Sequence, residues 1–348
     1  MVEQRVPVLV MVGGFLGAGK TTLILKAAQL LSARGLKVAA ILNDQDAGLV
    51  DTRFATAQSV SAEEVAGGCF CCRFSDLVEA AERLMVHGPD VIFAEPVGSC
   101  IDISATVVRP LKALHRDQLR VAPLTVLVDP RLAADVLSGQ AGADISYLFQ
   151  NQLDEADILC AGKCDSVQPL EMLQMDVDYR LSAKTGVGVD EWLEDVLSGR
   201  RVAGARRLSV DYSRYAEAEA ALGWLNLHAE VLLRHALSPA MVAGPLLDEL
   251  DSKLTAAGIR IAHLKVFDEA ASGYVKASVC VNGGEPEPDG DLLADAVSAH
   301  ELVINLRAEG DPATLRSIVE SALTNVPGLV TIQHLGAFRP APPNPQHR

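Results

Sequence analysis

The segment Gly14-Phe-Leu-Gly-Ala-Gly-Lys-Thr21 constrains this chain more than any other stretch. It satisfies the pattern G-x-x-x-x-G-K-[ST], follows an apolar run and precedes a helical one, the setting in which such a loop cradles phosphates. Glycines let backbone N–H groups wrap the anion, and the start of the following helix adds partial positive charge. Lys20 is placed to reach the β- and γ-phosphates, and the Thr21 hydroxyl to ligate Mg2+. Gly14, Gly17, Ala18, Gly19, Lys20, Thr21 and Thr22 are therefore candidate nucleotide-binding residues, with Lys20 also catalytic.

Around this loop, short β-branched runs alternate with helical patterns, the mark of βαβ units and a parallel sheet covered on both faces. Strands are expected at 8–12, 37–43, 90–94, 124–129, 157–161 and 177–182, and a helix at 21–34 closed by Gly35. The small and basic run from Ser198 to Arg207 breaks the alternation and reads as a linker. The fold class is thus α/β, a mostly parallel P-loop NTPase sheet with helices on both faces, plus a smaller α+β C-terminal domain. The expected division is 1–199 for the nucleotide domain, 200–210 for the linker, 211–336 for a client-binding domain and 337–348 for a disordered, proline-bearing tail. The acidic loop 282–291 is also expected to be mobile.

Hydrophobic residues make up 49% and charged residues 22%, a globular balance, and the net charge of −15 argues against a surface that follows nucleic acid. No window offers about 18 consecutive apolar residues and no signal peptide is visible, so a soluble, cytoplasmic protein without membrane partners is expected. Downstream, Gly162-Lys-Cys-Asp165 and Ser182-Ala-Lys184 each follow an expected strand. The pair resembles the base-reading N-K-x-D and S-A-K elements of GTPases. That resemblance gives Asp165 the N1–H and exocyclic amine of guanine, Lys163 the face of the base, and the Ala183 backbone the O6 oxygen, with Ser182 and Lys184 beside it. Gly162 stands where the pattern has asparagine, a loss of about 1 kcal/mol that leaves the choice of base unchanged.

Cysteines number seven, and three of them fall within four positions, Gly67-Gly-Cys-Phe-Cys-Cys72. An odd count so clustered is a poor disulfide framework and points to a reducing compartment and a metal or redox cluster. Thiolates suit zinc and other borderline-soft ions, and Cys69, Cys71 and Cys72 supply three of four tetrahedral ligands. Adjacent Cys71 and Cys72 would diverge on a straight strand, so convergence needs a turn, which Gly67-Gly68 permits. The fourth ligand stays open among Asp44, Glu64, water and a partner protein, while Cys100, Cys160, Cys164 and Cys280 read as ordinary packing residues. The eight histidines form no H-x-H run.

The cysteine motif and the phosphate loop together resemble the CobW-type (COG0523) branch of the G3E GTPases, a metallochaperone and cobalamin-synthesis-protein-like group, over about the first 200 residues. The resemblance implies a first switch at Asn43–Asp51, keeping Asp44 as a Mg2+ or switch residue and Asp51, with Ala47 at a position where the family has glutamate. It implies a second switch at Glu95-Pro-Val-Gly98, with Glu95 catalytic near Mg2+ and the attacking water and the Gly98 N–H on the γ-phosphate. The function so implied is a GTP-dependent metal insertase that couples hydrolysis to delivery of Zn2+ or Co2+ to a client metalloprotein, with room for a homodimer. The alternatives are a GTPase chaperone that loads the cofactor of a corrinoid enzyme, and a small-molecule kinase, which would have no need of the cysteines.

Overall fold

A computed structural model describes residues 6–45, 50–165 and 175–348. The first unit takes in the described residues up to 45, together with 58–218 and 342–348. Its strands are β1 (Val8–Gly13), β2 (Val38–Asn43), β3 (Ser61–Val65), β4 (Val91–Glu95), β5 (Arg120–Val121), β6 (Thr125–Val128), β7 (Ile158–Ala161) and β8 (Tyr179–Arg180). They form one sheet in the order β3-β2-β4-β1-β6-β7-β8, with β5 beside β1, and every pairing is parallel. β1 is apolar and buried along its whole length, as a central strand covered on both faces must be. Helices α1 (Lys20–Ala33), α3 (Phe74–Met85), α5 (Pro130–Leu137), α6 (Ala143–Glu155) and α7 (Val189–Leu197) connect the strands, and a π-helical turn at Ser104–Val108 runs into α4 (Arg109–Leu114).

The second unit contains α2 (Val50–Ala57) and residues 219–341. β9 (Gly223–Leu237), α9 (Pro239–Ala256), β10 (Ile261–Ala270), β11 (Gly273–Val279), β12 (Glu287–Gly290), β13 (Val297–Ala308), α10 (Pro312–Leu323) and β14 (Gly328–Phe338) follow in order. Their sheet is antiparallel, in the order β12-β11-β10-β13-β9-β14. Leu225, Leu227, Ala229, Val231 and Leu233 alternate along β9 into one apolar core with Leu246, Leu250 and Val319 of the helices, the period-two pattern of a sheet packed on one face. No helix among the described residues is long and apolar enough to cross a membrane.

The units divide elsewhere than expected. The run 200–210 belongs to the first unit, because its charges are paired there. Arg201 binds Asp178 at 2.8 Å and Asp195 at 2.6 Å, and Asp157 accepts the Gly204 and Ala205 N–H groups. α8 (Tyr212–Ala220) follows it, and the chain leaves the first unit only near the end of that helix. The acidic loop contains β12, and β14 reaches Phe338, inside the expected tail. The last seven residues pack on the first unit: Arg348 lies 4.7 Å over the Tyr212 ring, and His347 4.6 Å from Phe74.

Glu155, at the end of α6, is fully buried and accepts the Ser104 N–H at 3.0 Å, yet burial pushes its carboxyl up to about 8, with Asp102 adding to the shift. Between the ordinary carboxylate range and about pH 8 the folded chain therefore keeps a proton that the unfolded chain has lost, so stability falls as pH rises through that window. Glu155→Gln should accordingly raise the melting temperature relative to wild type more at pH 8 than at pH 5. Equal differences at the two pH values in thermal denaturation would rule this out.

Candidate nucleotide and metal site

A parallel sheet delivers the C-terminal ends of its strands to one edge, and the candidate residues lie on the loops there. The phosphate loop leaves β1 with Gly14 at φ 129°, where an added Cβ would stand 2.2 Å from the Leu127 carbonyl oxygen, so only glycine lets the turn pass β6. Gly19, at φ 93°, caps α1 without any side-chain hydrogen bond, which leaves the positive end of a 14-residue helix facing the loop. Lys20 Nζ folds back on the Phe15 carbonyl at 3.3 Å and lies 3.7 Å from Glu95 Oε1, while Thr21 Oγ1 donates to Glu95 Oε2 at 2.8 Å. All three are buried. Glu95 ends β4, and at Gly98 a Cβ would fall 2.8 Å from the Leu16 side chain and 3.0 Å from its backbone nitrogen. Lys20, Thr21, Glu95 and Gly98 are thus brought together. Thr22 is half-buried in the first turn of α1.

On the other side of β1, Lys163 takes a left-handed conformation, φ 54°, and its Nζ lies 3.0 Å from Asp129 Oδ2. Asp129 follows β6 and is buried. Burial raises its carboxyl, but Lys163 and then Arg131 hold it below the ordinary range, so an anion orients the lysine. No role is expected for Asp129 from the sequence, where nothing shows that Lys163 comes to lie beside it. Gly162 stands against the phosphate loop, where a Cβ would meet Ala18 O at 3.4 Å and Leu127 Cδ1 at 3.1 Å, so a side chain there would have to move Leu127. The Cys164 N–H donates to Leu181 O at 3.2 Å, which sets the two segments expected to read the base side by side. Ser182 is buried and its hydroxyl accepts the Thr185 N–H at 3.0 Å, Ala183 is half-buried, and Asp165 and Lys184 are exposed.

The cysteine loop leaves β3 at the far end of the sheet path. Gly67 and Gly68 both have positive φ, 82° and 149°, and the Cys72 and Arg73 N–H groups both donate to Cys69 O at 2.9 Å. This tight turn converges the thiols. Sγ of Cys69 lies 2.8 Å from that of Cys71 and 3.3 Å from that of Cys72, with 3.7 Å between the last two. Asn43, at the end of β2, pins the loop from below by donating to Val65 O and Gly68 O, both at 2.8 Å, and accepting the Phe70 N–H. Its place after a strand is visible in the sequence, but not what it binds. The Asn344 N–H of the terminal segment donates to Cys72 Sγ at 3.1 Å, and the Gln346 N–H to Cys71 O at 2.9 Å. Hydrogen bonds with Cys100, Cys71 and Cys72 push the Cys69 thiol far down, while those with Cys69 and Cys72 push Cys71 far up. Cys72 is pushed up to about 11, chiefly by Cys69. Among the described residues, no histidine or carboxylate joins this group of three.

The two acids expected in the first switch part company. Asp44 follows β2, donating its N–H to Val65 O and accepting the Gln45 N–H. Asp51 is on α2, which belongs to the second unit, and pairs there with Lys265. Ala47 lies outside the described residues.

Among curated proteins none matches the sequence. Solved structures to which the chain is similar include nickel-bound HypB from Helicobacter pylori, 16% identical over 57% of this chain and 90% of that one, with a TM-score of 0.39. HypB from Archaeoglobus fulgidus is 20% identical over 54% and 87%, with a TM-score of 0.37. Zn(II)-bound YjiA GTPase from E. coli is 14% identical over 91% and 99%, with a TM-score of 0.33. The family model for the CobW/HypB/UreG nucleotide-binding domain matches residues 8–184, a span that takes in β1, the phosphate loop, the cysteine turn, Glu95–Gly98 and the segments ending at Asp165 and Lys184. With half of its length under that model, the chain belongs to the CobW/HypB/UreG family.

Proposed function

We propose that this chain is a GTP hydrolase that carries Zn2+ or Co2+ on cysteine thiolates and gives it up to a client metalloprotein when GTP is hydrolysed. The observation that carries this reading is the convergence of three thiols within 4.8 Å of one another at the edge of the sheet that also bears the phosphate loop. A tetrahedral thiolate site with bonds of about 2.3 Å needs sulfurs about 3.8 Å apart, so the turn is close to the required shape before any metal arrives.

Lys20 and Thr21 both rest on Glu95, a buried arrangement that a phosphate is suited to replace. Lys20 would exchange Glu95 and Phe15 O for the β- and γ-phosphates, and the Thr21 hydroxyl, with Asp44 at the same edge, would hold Mg2+. That ion would supply neutralisation of the phosphate charge. Glu95, released from both partners, orients the attacking water, and the Gly98 N–H meets the γ-phosphate. Lys163, held by Asp129, lies on the guanine face, and Asp165 accepts from its N1–H and amine. The second unit recognises the client. Order and release of loops under γ-phosphate control is the device that would link hydrolysis to delivery.

Three measurements bear on this reading. Lys20→Ala should lower the rate of GTP hydrolysis by about 100-fold or more, since it removes a preplaced charge from the reacting phosphate, without unfolding the chain. Turnover at the wild-type rate would remove Lys20 from the site. Wild type should bind GTP more tightly than ATP, and Asp165→Asn should reduce that preference by about tenfold or more through loss of a charge-assisted pair of hydrogen bonds. Equal wild-type affinities in equilibrium dialysis would exclude guanine reading. Finally, titration calorimetry should give different Zn2+ or Co2+ affinities with GDP and with a non-hydrolysable GTP analogue, by about 5–150-fold, and Cys71→Ser should abolish most of the difference. One affinity in both nucleotide states would make the cysteines a static structural site.

A further inference from the structure

The loop after β4 carries a fourth thiol to the cysteine turn. Cys100 is buried, its side chain hydrogen-bonds to that of Cys69, and it acts on Cys71 through space. It stands at the edge of the group formed by Cys69, Cys71 and Cys72, against Cys69. Its backbone is fixed from three directions. The Cys100 N–H donates to Val97 O at 3.0 Å, the buried Gln152 amide of α6 donates to both Gly98 O and Cys100 O at 3.0 and 2.9 Å, and the Ile101 N–H donates to the Tyr215 hydroxyl at 3.2 Å. A thiol so held is presented to the turn.

We propose that Cys100 is the fourth ligand of the metal centre, so that the loaded site is a tetrahedral four-thiolate shell drawn from two loops, 69–72 and 98–101. The proposal rests on the metal-carrier reading above. Zn2+ and Co2+ both accept four thiolates, and Cys100 is the further thiol whose side chain hydrogen-bonds to Cys69. On metal binding the Cys100 side chain turns from Cys69 towards Cys71 and Cys72, and its proton is released to solvent. The position gives the shell a mechanical partner. Gly98, two residues earlier, is pressed against Leu16 of the phosphate loop, so one short turn touches both sites.

X-ray absorption of the full chain loaded with one equivalent of Zn2+ or Co2+, with a non-hydrolysable GTP analogue present, tests this. Wild type should show four sulfur neighbours. Cys100→Ser and Cys100→Ala should each show three sulfurs with one lighter atom, and lose at least the roughly tenfold in metal affinity that even outer-shell changes cost. Cys160→Ser, at a buried cysteine within β7, should keep four sulfurs and wild-type affinity. A wild-type shell of three sulfurs and one lighter atom would overturn the role of Cys100 and leave the carrier reading intact, as would a Cys100 variant that retains four. A wild-type chain that takes up no metal overturns both.

Discussion

Parallel pairing in the first sheet is the constraint on which the rest depends. Because each strand must be re-entered from the same end, every loop that follows a strand emerges at one edge. The order β3-β2-β4-β1-β6-β7-β8 then sets the sites in a line along that edge. The cysteine turn follows β3, Asp44 follows β2, Glu95 ends β4, the phosphate loop follows β1, and the segments ending at Asp165 and Lys184 follow β7 and β8. With strands about 4.8 Å apart, the roots of the cysteine turn and the phosphate loop are separated by about 14 Å, too far for contact between a thiolate metal and a phosphate. Communication, where it exists, has to pass through the loops rooted on β2 and β4 between them. Those are the two loops that the resemblance assigns as switches.

The middle of the line is electrostatically poised. Lys20, Thr21 and Glu95 are buried together, and Glu95 receives both the ammonium and the hydroxyl. A lone buried ammonium or carboxylate is costly, so each holds the other in place. On the proposed reading an incoming phosphate would take the place of the carboxylate as the partner of the lysine and so free Glu95. Glu95 ends β4 and Cys100 stands on the loop that follows, so one short stretch of backbone joins the carboxylate to the thiol.

The parts of the chain governed by local rules were legible. The phosphate loop, the six expected strands of the first domain and helix α1 follow from glycine placement and apolar periodicity, and all are present within a few residues. β3 escaped because Ser61-Ala-Glu-Glu-Val65 is a polar, part-exposed edge strand whose pairing with β2 is non-local. The domain division was misplaced because composition suggested a solvated linker at 200–210, whereas Asp157, Asp178 and Asp195 neutralise and bind it. The same limit applies to Asn43, Asp129 and Cys100. Each is an unremarkable residue in sequence, and each acquires meaning only from a partner brought near by the sheet: the cysteine loop for Asn43, Lys163 for Asp129, Cys69 for Cys100.

The protons of the cysteine cluster connect its two occupancies. Hydrogen bonds from Cys100, Cys71 and Cys72 push the Cys69 thiol down, while those with Cys69 push Cys71 and Cys72 up, so the donors of this buried turn converge on one sulfur. A divalent ion favours the thiolate over the thiol at every cysteine it touches, so loading the cluster would release protons. On the four-thiolate proposal the shell carries one more negative charge than three cysteines would give, and that charge would stand on the loop that follows Glu95 and bears Gly98. The charge on Cys100 is therefore the physical quantity that would let the metal and the nucleotide sense each other across the sheet edge.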